Sequence, residues 1–392
     1  MALSRKAGFV AVAYAFGVTM LSTTLPTPLY PLYRGAFGFS ELTVTLVYAA
    51  YAVGVLAALV AFGNVSDAVG RRRVLLPGLA AALLSAVVFL TAADLPMLFV
   101  GRVLSGLAAG LFTGTATATL VDLVPDRDRA LGSLVATLVN MGGLGVGPLL
   151  AGVLAEYVGA PLRVTFVVDL MLLVPAFIGV LLAPETVTET SRSRRPPLAV
   201  PRQVRAVFGQ AALTGFAGFV VLGTFTAVSP AALSQLLHQH NLAVVGVVVF
   251  VVFAASTAGQ LALPLFTTRV GLPAGAATLT LGATLIAAAL WREPLALLIV
   301  GGVVAGFGQG LGFRAGIAAV STAVSAERRA GVTSALFAVL YIGISVPVVG
   351  IGIAAQSAGL KTASVGAALA VAVLKLLAAT SLLVRPVAEA ER

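Results

Sequence analysis

The chain has 392 residues, of which 59% are hydrophobic and 10% charged, with a mean hydropathy of +1.07. A soluble domain uses roughly 45–50% apolar residues, so a single water-soluble core is excluded and lipid is the fitting solvent. The formal net charge is +10, and the absence of Cys removes disulfide scaffolds and thiolate metal sites.

A membrane crossing takes about 20 apolar residues. The first predicted span, 9–30, follows Arg5 and Lys6 and is longer than the apolar region of a removable leader, so it is expected to remain as a helix. Further spans are predicted at 42–62, 74–93, 96–120, 131–155, 164–183, 210–229, 242–266, 273–291, 295–320, 331–353 and 362–384. They nearly exhaust the chain and leave no room for a soluble catalytic domain. Pro26, Pro28, Pro148 and Pro347 fall inside spans, where neighbouring helices can satisfy the disturbed backbone, and are expected to kink rather than break them.

With both termini placed in the cytoplasm, 17 Lys and Arg fall on the inward side and five outward, while Arg314 and Lys375 lie inside helices. That is the positive-inside bias of a multi-pass plasma-membrane protein. Nucleic-acid binding is a poor use of the high net charge, because the basic residues are scattered over short loops. The interval 184–209 holds Ser191-Arg192-Ser193-Arg194-Arg195-Pro196-Pro197 and reads as a cytoplasmic linker whose basic cluster can touch lipid headgroups. It divides an N-terminal six-helix bundle, 1–183, from a C-terminal six-helix bundle with a short tail, 210–392. The predicted class is an all-α polytopic membrane protein of twelve transmembrane helices in two pseudo-symmetric halves.

The halves share residues at an offset of 200: Gly106 and Gly110 match Gly306 and Gly310, Arg129-Ala130 match Arg329-Ala330, and Gly143 matches Gly343. Such a duplication permits rocking about a midplane site.

The loop between spans two and three reads Gly63-x-x-x-Asp67-x-x-Gly70-Arg71-Arg72-Arg73. Span four contains Arg102-x-x-x-Gly106-x-x-x-Gly110, and span five Gly143-x-x-x-Gly147-Pro148-x-x-x-Gly152. Pro28-Leu29-Tyr30-Pro31 closes span one. Over essentially its whole length the chain resembles the major facilitator superfamily, and these patterns resemble the twelve-span drug and metabolite:proton antiporters within it. The resemblance implies a gate in which Asp67 and Arg71 join Asp122 at the inner end of span four, with Glu185 of Pro184-Glu185-Thr186 as a further partner. Glycine at 63 and 70 permits a tight turn there, and Asp67 is able to accept from helix N–H groups or pair with an Arg. The alternative is that Arg71–Arg73 simply fix topology.

Arg102 begins one to two turns inside span four, where it either snorkels outward or takes part in substrate or proton coupling, as the resemblance implies. Asp169 in span six lies at a comparable depth, so pairing with Arg102 is open, as are a packing role and a coupling role. Spans one and four hold no embedded acid before Asp122, so proton antiport is what the resemblance implies, with Asp169, Asp122 and Arg102 as the proton-coupling candidates. Family topology directs attention to Tyr14, Thr27, Arg102, Thr113, Asn140, Thr224, Gln260, Gln309 and Tyr341 as a cavity lining suited to amphipathic compounds. Each of these also has a bland use as a bond to a helix neighbour. Gly106, Gly110, Gly143, Gly147, Pro148 and Gly152 are expected to bring helices together.

The function expected is secondary active efflux of small amphipathic organic molecules, with protons as counter-substrate. A nutrient or metabolite importer or facilitator is the alternative, favoured by the missing acid of span one, and a non-transporting receptor or scaffold a further one. No nucleotide-binding loop, zinc-ligand cluster or hydrolase motif supports an enzyme, a cofactor or a metal. His238 and His240 fall in an outward loop, either as pH sensors or as exposed loop residues. One chain supplies both repeats, so a monomer is expected.

Overall fold

The computed structural model describes residues 3–62, 65–187, 200–266 and 268–384. Within them the chain is helical: α1 (Arg5–Thr24), α2 (Tyr30–Phe37), α3 (Glu41–Phe62), α4 (Val65–Val69), α5 (Arg71–Leu90), α6 (Leu95–Leu123), α7 (Arg129–Tyr157), α8 (Pro161–Leu182), α9 (Arg205–Ala227), α10 (Ser229–Gln235), α11 (Leu242–Ala262), α12 (Thr268–Arg292), α13 (Leu295–Ala323) and α14 (Ala326–Val384). The helix starts carry local signals. Ser4 Oγ accepts from the Ala7 N–H at 3.3 Å to open α1, and Asp94 Oδ1 accepts from the Met97 N–H at 3.1 Å to open α6.

Eleven segments among the described residues are long and apolar enough to cross a membrane. The last, Gly331–Leu376, covers the expected span 331–353 and most of 362–384, because two helices meet within α14 at Gly359, whose φ of 79° only glycine adopts easily. The architecture is therefore the all-α polytopic membrane fold with twelve crossings. Span one departs from expectation in detail. It stops at Thr24, passes through a 3-10 turn at Thr27–Leu29, and restarts as α2, since Pro26 and Pro28 remove the N–H groups that would continue the ladder. Pro148 and Pro347 lie inside α7 and α14.

The chain clusters into two compact units, one of Met1–Phe39, Ala50–Arg195 and Asn241–Phe250, the other of Ser40–Ala49, Pro196–His240 and Val251–Arg392. In lipid, helices associate through close packing rather than through a hydrophobic gain, so small residues mark the seams. In the first unit a side chain at Gly54 would overlap the Val103 carbonyl, and one at Gly106 the Tyr51 carbonyl, which locks α3 to α6. The second unit repeats the device. Gly259 meets the Phe307 carbonyl, Gly306 the Val252 carbonyl and Gly310 the Ser256 carbonyl, locking α11 to α13. The glycine matches at an offset of 200 thus correspond to like packing inside each unit.

Candidate functional site

At one end of the first unit, helix α5 starts directly after Gly70, whose φ is 107° and which offers no side-chain cap. The first N–H groups of a helix need acceptors from elsewhere. Glu185, three residues past α8, supplies both of its oxygens, accepting from the Arg71 N–H at 2.8 Å and the Arg72 N–H at 3.1 Å. The same carboxylate accepts from the N–H groups of Thr186 at 3.0 Å and Val187 at 3.3 Å, so the chain leaving α8 is clamped to the positive end of α5. A Cβ at Gly70 would overlap the Glu185 carboxylate, which gives the glycine a second reason beside its φ.

The Arg71 guanidinium turns to the other side. Its Nη1 donates to Ser66 Oγ at 2.9 Å and its Nε faces Asp122 Oδ2 at 3.4 Å. Asp122 also receives Thr186 Oγ1 at 3.4 Å, and its main-chain carbonyl accepts from the Arg5 guanidinium. The structure therefore brings Gly70, Arg71, Asp122 and Glu185 into one cluster. Gly63 and the side chain of Asp67 lie outside the described residues. The Arg71 and Arg72 N–H groups at the start of α5 are taken by Glu185. Arg5, Ser66 and Thr186 were missed. Only Thr186 carried a signal, its place next to Glu185.

Two charges sit deep in the same unit. Arg102 is 2% exposed, so the outward-snorkelling alternative is corrected: its Nη1 donates to the Thr23 carbonyl at 2.6 Å, and its Cζ lies 4.9 Å from the Tyr51 ring centroid. The cause is the interruption of α1. A carbonyl in the last turn of a helix lacks an i+4 partner and accepts a cation well. Asp169 is 1% exposed, and its Oδ2 accepts from Ser22 Oγ at 2.7 Å. Among the described residues Oδ1 has no hydrogen-bond partner. Arg102 and Asp169 form no ion pair with each other. They are joined instead through consecutive residues of α1, Ser22 holding the acid of α8 and Thr23 the cation of α6. Ser22 gave no sequence signal, being one serine in an apolar helix.

The remaining candidate residues divide between the units. In the first, the Tyr14 hydroxyl donates to the Leu172 carbonyl at 3.1 Å, Thr113 Oγ1 returns to the Ala109 carbonyl at 2.8 Å, and Asn140 is half-buried on α7. Thr27 is buried in the 3-10 turn, its hydroxyl without a partner among the described residues. In the second, Thr224 is half-buried on α9 and Tyr341 meets Phe219 edge-on, with ring centroids 6.2 Å apart. Gln309 and Gln260 are both buried at the α11–α13 seam, where Ser256 Oγ donates to Gln309 Oε1. His238 and His240 are exposed in the turn after α10.

The span-five glycines are close-packed. A Cβ at Gly143 would overlap the Gly17 carbonyl, one at Gly147 the Leu21 carbonyl and Thr24 Oγ1, and one at Gly152 the Leu242 carbonyl. Thr24 Oγ1 also donates to the Leu144 carbonyl at 2.9 Å, tying α1 to α7 just before Pro148.

These patterns are those of one protein family. The sequence profile described as Major Facilitator Superfamily matches residues 9–272. The chain belongs to the Major Facilitator Superfamily. Among curated members it is 30% identical over 154 residues to an uncharacterized MFS-type transporter of Mycobacterium tuberculosis (strain ATCC 25618 / H37Rv), a match covering 39% of this chain and 22% of that protein. It is 27% identical over 186 residues to MdtD of Salmonella typhimurium (strain LT2), a protein whose name refers to multidrug resistance, covering 47% of this chain and 39% of that one. The chain thus spans well under half the length of these superfamily relatives. Two solved structures share the fold. A bacterial homolog of the human lysosomal transporter Spinster aligns with a TM-score of 0.77 at 16% identity, over 97% of this chain and 98% of that one. The human organic anion transporter MFSD10 aligns with a TM-score of 0.70 at 17% identity, over 97% and 100%.

Proposed function

We propose that this superfamily member is a secondary active exporter of small amphipathic organic molecules, driven by proton antiport through alternating access. The observation that carries the reading is the enclosed Asp169 on Ser22. Span one has no acid of its own, and α8 presents one to it across a 2.7 Å hydrogen bond. An ionisable group enclosed in a transmembrane bundle is costly to keep and marks a functional pathway by default. Protonation of Asp169 removes the acceptor charge that holds Ser22, and the next residue, Thr23, holds Arg102. Proton binding at the acid then alters the placement of the cation, with Tyr14, Thr27, Thr113, Asn140, Thr224, Gln260, Gln309 and Tyr341 as the substrate-facing polar set.

In this account the halves 1–183 and 210–392 rock about the substrate, joined by the linker 184–209. The Arg71–Asp122–Glu185 cluster fastens the inner end. The Gly143–Gly147–Gly152 face limits leakage by close packing. The chain works as a monomer in the plasma membrane with both termini in the cytoplasm, and no bond of the substrate is broken. One proton charge crossing the full field contributes about 2.3 kcal/mol per 100 mV, enough to support uphill export. The name of the MdtD relative, which refers to multidrug resistance, supports the direction. The missing span-one acid supports facilitation as the second reading.

Asp169→Asn and Ser22→Ala in proteoliposomes separate the two. With ethidium as probe, proton antiport predicts that gradient-free exchange survives in Asp169→Asn while pH-driven accumulation is lost, and that Ser22→Ala shifts its pH dependence. Wild-type pH-driven accumulation in both variants would contradict the assignment.

A further inference from the structure

A lysine closes the seam between α9 and the last stretch of α14. Lys375 has 0% exposure, and its Nζ donates to the main-chain carbonyl of Thr214 at 2.6 Å. Val371 and Ala372, one turn earlier on its own helix, are buried and apolar, and the Thr214 hydroxyl has no partner among the described residues. An ammonium carries three donors and needs either acceptors or an opposite charge.

Among the described residues, Lys375 forms no ion pair that supplies that charge. Among the ionisable groups of the helices packed on α14, α9 carries Arg205, α12 carries Arg269 and Arg292, and α13 carries Arg314. On α14 itself they are Glu327, Arg328, Arg329, Tyr341 and Lys361. Between residues 205 and 384 the only carboxylates are Glu293, in the turn before α13, and Glu327, in the first turn of α14. An isolated ammonium in a dry interior costs several kcal/mol, whereas a neutral amine or a hydrated ammonium does not. Arginine keeps its proton in proteins, so among the described residues of this bundle Lys375 is the enclosed basic group able to give one up.

We infer that Lys375 is the proton-exchange residue of the C-terminal bundle, neutral while the α9–α14 seam is closed on it and protonated when the seam admits water. In the closed form the amine donates an N–H to Thr214 and keeps its lone pair. On opening, that lone pair takes a proton from hydronium, leaving water and an ammonium that solvent stabilises. Closing reverses the transfer. This goes beyond the exporter reading, and its test requires no substrate.

Hydrogen–deuterium exchange of the purified full chain in lipid nanodiscs, followed on peptides covering 210–218 and 370–376 from pH 6 to 9 and corrected for chemical exchange, reads the opening directly. If opening takes up one proton, protection falls about tenfold for each pH unit of acidification across the titration. Lys375→Met should flatten that slope, and Lys375→Arg should leave the seam poorly protected at every pH. A plain tether predicts instead that wild-type protection is independent of pH and that Lys375→Met loosens the seam uniformly. That result, or an unchanged slope in Lys375→Met, overturns the inference. The wild-type slope decides alone should neither variant reach the membrane. Asp169→Asn should leave the slope intact, which keeps this outcome distinct from the failure of proton-driven export.

Discussion

Replacing Glu185 by Gln tests the clamp at the start of α5. The carboxylate receives two N–H groups of the helix start, at 2.8 and 3.1 Å, and two of its own loop. A hydrogen bond to a charged acceptor contributes about 1.5–3 kcal/mol net. The amide keeps one oxygen, so one of the helix bonds survives in neutral form while the other is lost, together with the charge facing the helix N-terminus, worth about 0.3–1 kcal/mol when exposed. A loss of about 2 kcal/mol follows, or about 30-fold in the equilibrium between clamped and released chain. Because the chain has no Cys, Val187→Cys reports this release on an otherwise native background. Its maleimide labelling should accelerate about 30-fold when Glu185→Gln is added. Gly70→Ala attacks the same clamp from the other side, through a Cβ on the carboxylate and a positive φ that costs about 1–3 kcal/mol for a non-glycine residue. Labelling within twofold of the parent in both variants would refute the clamp.

Gly142 and Gly143 are neighbours with opposite surroundings, so Gly143→Ala should lower membrane abundance by pushing α7 off the Gly17 carbonyl, while Gly142→Ala, which meets nothing within 4 Å, should not. Equal abundance by fluorescence-detected size exclusion would contradict the packing argument. Arg102→Lys keeps the charge but loses the planar group over Tyr51, and ethidium flux at matched abundance should fall about tenfold; near-normal flux would remove Arg102 from coupling. In the turn before α13, Lys361 at 2.7 Å holds the Glu293 carboxyl below its ordinary value. Its small contribution to stability is therefore present above the ordinary carboxylate range and lost as pH falls through the lowered value. Glu293→Gln should abolish that acid-limb loss in thermal melts, and an identical pH profile would contradict the pairing.

The span count, the two halves and the glycine seams were legible because each rests on composition over about 20 residues or on a repeated spacing. What escaped depends on rotation about a helix axis. The spans are apolar on nearly every face, so no 3.6-residue stripe tells which side meets a neighbour. Ser22 was therefore invisible as the partner of Asp169, and Arg102 read as equally able to point outward. The α1 break supplied the acceptor that drew Arg102 inward, and its cue, the prolines at 26 and 28, was legible only as a kink. Glu185 was singled out by position, but that its oxygens cap α5 depends on a fold-back across more than a hundred residues. The last two expected spans are two helices that meet at Gly359, where a non-helical φ of 79° and ψ of 154° takes the place of a longer loop.

The central claim is coupled export, and it is tested most directly by following ethidium and protons together in proteoliposomes whose cytoplasmic protein face points outward. An acidic lumen should drive ethidium inward above equilibrium while the lumen becomes more alkaline, and the accumulation should collapse when the pH gradient is dissipated. Equal initial fluxes in both directions at matched membrane potential, unaffected by the gradient and without any change in lumenal pH, would contradict the account and assign the chain to facilitation.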